Sequence, residues 1–153
     1  MNEILTVIID VSGSFAENGK IEIVRALRLS AIRLAKKFGA DSEFFIWRED
    51  VQPLATPKEI IPRGKNEVSA LIEFISACPE GAKILLLSDG DRFSDDGSRI
   101  KSAATSRKIN LAFVAVGADA GRSKNCAVST VGDVWSPADL PSAIQAVLFG
   151  DAS

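Results

Sequence analysis

IIDVSGSF, residues Ile8 to Phe15, carries an apolar, β-branched run directly into one carboxylate, Asp10, and two hydroxyls, Ser12 and Ser14. KILLLSDG, Lys83 to Gly90, repeats the design, with an apolar run that ends in Ser88 and Asp89. Short, continuous apolar runs without polar alternation suit central parallel strands covered on both faces. Helical periods separate the two runs, so the sequence reads as alternating strand and helix.

Lys20 to Phe38 places Ile23, Val24, Leu27, Ala31, Leu34 and Phe38 on one stripe, with Gly39 as a C-terminal stop. Glu43 to Glu49 (EFFIWRE) predicts a second strand, and the two prolines of VQPLATP make that segment a short edge strand or its return. Asn66 to Ala77 is the next predicted helix, with Val68, Leu71, Ile72 and Ile75 inward, stopped before Pro79. Lys83 to Asp89 is a buried strand, Ser98 to Lys108 a helix, Asn110 to Gly117 a strand, TVGDVW a last short strand and Ala138 to Leu148 a closing helix. No repeat, low-complexity tract or linker interrupts the pattern. Residues 1–153 are expected to form a single α/β domain, with its core from about residue 2 to 149, around a mostly parallel sheet.

Composition narrows the function. A chain of 153 residues with 46% hydrophobic and 25% charged residues has the proportions of one globular domain. A net charge of −2 argues against a nucleic-acid partner held by bulk charge. The start, MNEILTVIID, has neither the basic region nor the apolar stretch of a signal peptide, and no segment is long enough to span a membrane, so the expected location is cytoplasmic. Histidine is absent, which removes Ser-His-Asp and Cys-His catalysis because the base is missing. Cys78 and Cys126 are far apart and outside any CxxC, as expected of reduced, partly buried thiols rather than zinc ligands.

In open α/β sheets ligands collect beyond the carboxyl ends of the strands, near the reversal of strand order. Asp10, Ser12, Ser14 and Asp89 are expected to meet there. DVSGS, an amphipathic helix and a later apolar strand ending in SDG together resemble the von Willebrand factor A domain, and the order of elements agrees from about Asn2 to Phe149. The resemblance implies a Rossmann-like three-layer α/β/α fold with one short antiparallel edge strand. It also implies a metal-ion-dependent adhesion site for Mg²⁺ or Mn²⁺, in which a DxSxS motif, a threonine from a later loop and an aspartate after the fourth strand converge. Asp10, Ser12, Ser14 and Asp89 match the motif residues, but Lys65, within Arg63-Gly64-Lys65-Asn66, stands where the threonine belongs.

The residues support such a site on their own chemistry, since Mg²⁺ takes hard oxygen ligands and keeps several waters. The bland alternative is a turn in which Asp10, Ser12 and Ser14 bond nearby backbone and cap the next helix. Lys65 has two possible placements. Turned inward, it would compete with the metal for the carboxylates, and binding would be weak or absent; turned outward, it would leave the ligand position to Asn66 or water. The charge balance of two converging carboxylates favours the inward lysine.

The same residues can also be sorted as a haloacid-dehalogenase-like Mg²⁺-dependent phosphatase, with Asp10 as nucleophile, Lys65, and Asp89-Gly90-Asp91 as the late acidic motif. That sorting fails at Ser12, whose hydroxyl cannot act as the general acid/base carboxylate. DGDRFSDDG, Asp89 to Gly97, has Phe93 where a calcium loop needs a ligand, so Asp91, Asp95 and Asp96 are expected to be solvated and to cap the following helix. NGK, Asn18 to Lys20, lacks the pattern of a phosphate loop. Trp47 and Trp135 are expected in the core or at the sheet edge.

Away from its apolar stripe, the helix from Lys20 carries Arg25, Arg33 and Lys36 interleaved with Ile21, Leu29 and Ile32. Such a face suits a protein partner with acidic rims, or a helix buried beyond one stripe. The resemblance implies a non-catalytic protein-interaction or scaffold module whose partner completes the metal site with an Asp or Glu. The resemblance extends to compact stand-alone cytoplasmic members, in bacteria especially, that often resemble parts of multi-protein stress or defence systems, as in tellurium-resistance-like clusters; a place in such a system is expected here by analogy alone.

Overall fold

The computed structural model describes residues 3–11, 19–62, 64–65, 67–90, 96–117 and 128–150. Glu3–Asp10 forms β1, Lys20–Lys37 α1, Ala40–Trp47 β2, Val51–Pro53 β3 and Val68–Ala77 α2. Lys83–Ser88 forms β4, Gly97–Ser106 α3, Asn110–Ala115 β5, Val134–Trp135 β6 and Leu140–Phe149 α4. The sheet order is β3-β2-β1-β4-β5-β6, with every neighbouring pair parallel except β2 and β3. The expected mostly parallel sheet with one antiparallel edge strand is therefore what the chain builds.

Side chains that alternate along the strands divide two apolar layers. Leu5, Val7, Ile9, Leu85, Leu87, Ala112 and Val114 pack with Val24 and Ala31 of α1 and Ile144 and Val147 of α4. Ile8, Ile84, Leu86, Leu111 and Phe113 face the other way, onto Leu71 and Ile75 of α2 and Ile100 and Ala104 of α3. All of these side chains are buried, which is why the strands read as unbroken apolar runs. The result is a three-layer α/β/α arrangement.

Three expectations need adjustment. The closing helix is split: Pro137–Asp139 is a 3₁₀ turn, and the α-helix begins at Leu140, with Pro141 in its first turn, where a missing N–H costs nothing. The last strand is shorter than TVGDVW. Ahead of it, the Ser129 and Thr130 hydroxyls accept the N–H groups of Phe113 (3.0 Å) and Leu111 (2.8 Å), so side chains do along β5 what a longer strand would do. Asp96 sits at the N-cap of α3 without a side-chain cap bond and instead pairs with Arg99 at 2.9 Å in an exposed ion pair. Asp91 and Asp95 lie outside the described residues.

The chain lays β2 and β3 on one side of β1, then crosses to place β4 on the other side. The reversal of strand order thus falls between β1 and β4, and Ile9 pairs with Leu87 in register. The next residues on the two strands are Asp10 and Ser88.

Candidate functional site

Alternation beyond the last ladder pair turns Asp10 and Ser88 toward the α2/α3 layer, following Ile8 and Leu86. Ser88 Oγ donates to Asp10 Oδ2 at 2.8 Å and accepts the Gly90 N–H at 3.1 Å. The hydroxyl therefore couples a carboxylate to the turn that ends β4. Gly90 has φ 74°, the left-handed conformation that a glycine adopts without strain.

Asp89 follows the opposite alternation, toward the layer of α1. There Lys20, the first residue of α1, places its Nζ 3.0 Å from Asp89 Oδ2, and the two side chains are only 2% and 1% exposed. The lysine stem runs past Gly117, which follows β5 with φ 106°. A Cβ on that glycine would come within 2.6 Å of Lys20 Cε and 2.9 Å of Cγ. The end of β5 is thus shaped to let the stem through. Asp10, Lys20 and Asp89 each make further interactions besides these bonds.

Trp47, fully buried at the end of β2, stands in register with Asp10 and donates Nε1–H to Glu67 O at 2.9 Å. The Glu67 N–H in turn reaches Arg48 O at 2.8 Å, and Arg48 Nη2 holds the carbonyls of Glu59 (3.2 Å) and Ile61 (2.9 Å). The segment leading to α2 is therefore tied to the end of β2, beside the charged cluster.

No protein-family model and no curated protein matches the sequence. Solved structures do. The chain is similar to the manganese-loaded TRAP protein of Plasmodium vivax, with TM-score 0.66 and 15% identity over 99% of this chain and 74% of that one. It is similar to a von Willebrand factor type A protein of Catenulispora acidiphila, with TM-score 0.56 and 15% identity over 94% of this chain. This chain spans only 41% of the Catenulispora protein. An aerotolerance-related membrane protein of Bacteroides fragilis matches with TM-score 0.52 and 16% identity over 75% of this chain and 68% of that one. The fold is that of the von Willebrand factor A domain.

Against that fold's expected metal site, the structure brings Asp10 and Asp89 to one end of the sheet, at its switch point. Ser12, Ser14 and Asn66 lie outside the described residues. The two carboxylates do not face a rim: Asp10 is 0% and Asp89 2% exposed. Lys65 is exposed, so the inward lysine expected from the charge balance is not Lys65 but Lys20. The physical reason is reach. Lys20 enters from the first turn of α1, directly over the ends of β4 and β5, where Gly117 leaves a channel for its stem.

The sequence marks Lys20 only as a lysine in the first turn of a predicted helix, where it opposes the positive end of the helix dipole, and does not single it out as the partner of Asp89.

With the Lys20 ammonium on its Oδ2, Asp89 does not fit a divalent cation. Mg²⁺ bound to Asp89 would sit about 2.1 Å from its oxygen, within a few ångströms of the Lys20 ammonium. At an effective dielectric near 20 and about 4 Å separation, a divalent ion and an ammonium repel by on the order of 8 kcal/mol.

The phosphatase sorting is not favoured either. Its lysine, Lys65, is exposed, and its nucleophile, Asp10, is fully buried with one oxygen held by Ser88.

The proposed interface face of α1 divides. Ile21 is buried in the α1/α4 layer and does not belong to it. Arg25, Arg33 and Lys36 are exposed, Ile32 is half-buried and Leu29 is 50% exposed. Arg25 Nη2 donates to Ile60 O at 3.0 Å, and Arg25, Arg28, Leu29, Pro57, Lys58 and Ile60 line an open groove of about 440 Å³.

Proposed function

We propose that this von Willebrand A-fold chain is a protein-interaction module without catalysis of its own, and that the carboxyl end of its sheet is the recognition surface. The observation that carries it is the buried Asp10–Ser88 and Lys20–Asp89 pairing at the switch point, where the two adjacent central strands end. Charged groups are costly to bury, and here they fix the two strand ends from which the neighbouring loops depart. The network is a foundation for those loops rather than the contact surface itself.

The fold of TRAP and the Catenulispora protein supports an interaction role by analogy, because fold alone leaves function to the site. Among the described residues no helix is long and apolar enough to cross a membrane. A scaffold in the cytoplasm, within a multi-protein stress or defence assembly, agrees with such a module.

Affinity capture with opposed surface charge reversals tests this role. Lys65→Glu alters the carboxyl end, and Lys108→Glu alters the opposite end, where Lys108 pairs with Glu80 at 3.6 Å. A partner captured by the unmodified chain should be lost with Lys65→Glu and retained with Lys108→Glu. The reverse pattern moves the surface to the other end. Hydrolysis of an aryl phosphate in Mg²⁺, abolished by Asp10→Asn, would restore the phosphatase.

A further inference from the structure

We propose that Lys20 is a built-in cation that takes the place of the divalent metal in this fold, so that the carboxyl end of the sheet is organised without a dissociable ion. Three observations meet on this residue. Its ammonium lies 3.0 Å from Asp89 Oδ2, on the aspartate that a metal would need. Lysine and aspartate are both almost completely buried, so the pair belongs to the interior rather than to the surface. Gly117, with φ 106°, lies where an added Cβ would meet the lysine stem at Cε, Cγ and Cδ.

The chemistry follows from the exchange of ions. A divalent metal shares two carboxylates and leaves coordination positions open to water or to a partner's oxygen. An ammonium is covalently tethered, carries half the charge and offers donors only. The Lys20–Asp89 pair also leaves the Asp10–Ser88 bond in place on the neighbouring strand end, so both strand ends are held at once. Chelators therefore have nothing to remove, and the geometry of this end does not vary with metal supply. Lys20 has this role whether or not the same end meets a protein partner.

Mn²⁺ titration of the full chain, followed by electron paramagnetic resonance of the free ion and by thermal melting, is the test. The unmodified chain should show a Kd for Mn²⁺ no tighter than about 1 mM, and an unchanged melting temperature in chelator. Lys20→Met removes the ammonium and keeps the length of the stem. It should bind Mn²⁺ at least about tenfold more tightly than the unmodified chain, and Mn²⁺ should restore part of a melting temperature lowered by on the order of 10 °C. Gly117→Ala, which obstructs the stem but keeps the lysine, should lower the melting temperature in the same direction. Micromolar Mn²⁺ binding by the unmodified chain overturns the proposal, as does a folded Lys20→Met that binds no more Mn²⁺ than its parent. If Lys20→Met does not fold, the titration of the unmodified chain decides alone.

Discussion

The two ends of the sheet solve the same problem differently. At the carboxyl end the chain buries charge: Asp10, Lys20 and Asp89 all lie below 3% exposure. At the amino end it buries a neutral amide and leaves its ions in water. Asn110, the first residue of β5, is 3% exposed and donates from Nδ2 to Val147 O (2.8 Å) and Gly150 O (2.7 Å), closing the last turn of α4. Nearby, Lys108 and Glu80 pair at 3.6 Å with side chains 80% and 67% exposed. A helix end needs donors for its free carbonyls, and an amide supplies them at lower cost than an ion. At the carboxyl end buried charge instead holds the two strand ends from which the loops depart, and that contrast directs functional attention there.

The largest effect should come from breaking the buried pair. Lys20→Met leaves Asp89 buried without its ammonium and should destabilise the chain by about 3–5 kcal/mol in urea unfolding. Asp89→Asn should cost a similar amount, whereas the double substitution Lys20→Met with Asp89→Leu should recover much of the loss, because an apolar pair of similar volume replaces a buried ion pair well. Losses that simply add would mean that the two residues do not act as a pair.

Asn110→Ala should cost about 2 kcal/mol, since it removes two donors from the end of α4, with hydrogen exchange quickening in that helix first. An equal loss of protection at the end of β4 would blur the division between the two ends.

The third effect is chemical. Cys78 also lies toward the amino end, just after α2, and burial pushes its thiol above the ordinary range; Arg107 opposes this and Glu43 adds to it. The raised value favours the neutral thiol in the folded chain. Its contribution to stability is therefore full below the ordinary thiol range and is lost as pH rises through the raised value. In a Cys126→Ser background, iodoacetamide should alkylate Cys78 more slowly than a free thiol near pH 8, with the rate still climbing above pH 9.

The smallest effect belongs to the exposed pair. Lys108→Ala should change unfolding free energy by less than about 0.5 kcal/mol, and what change there is should fade in high salt.

The sheet was legible in the sequence because strands buried on both faces must be apolar throughout, as in TVIID and KILLLS, and because Gly39, Pro53 and Pro79 mark boundaries that the backbone obeys. The placement of Asp10 and Asp89 at one end of the sheet was legible for the same reason, since both end such strands. The identity of the lysine was not. Lys20 and Asp89 are 69 residues apart, and no local period relates them. Lys65 drew attention through its place in a loop, whereas the deciding factor was a channel formed by Gly117, which becomes meaningful only once β5 lies beside β4. The depth of the carboxylates was likewise hidden, because motif spacing places residues at a strand end without fixing how far the neighbouring helices cover them.

The hydroxyls of Ser129 and Thr130 have a consequence for assembly. A free strand edge is a template on which another chain can add and polymerise. Here two of β5's outward N–H groups are occupied by those side chains, and β6 beyond it is only two residues long. At the opposite edge β3 is three residues long and ends in Pro53, which has no N–H to offer. Both borders of the sheet are therefore poor templates for growth, and larger complexes of this chain must form through its helices and loops, where side-chain identity rather than backbone repetition selects the partner.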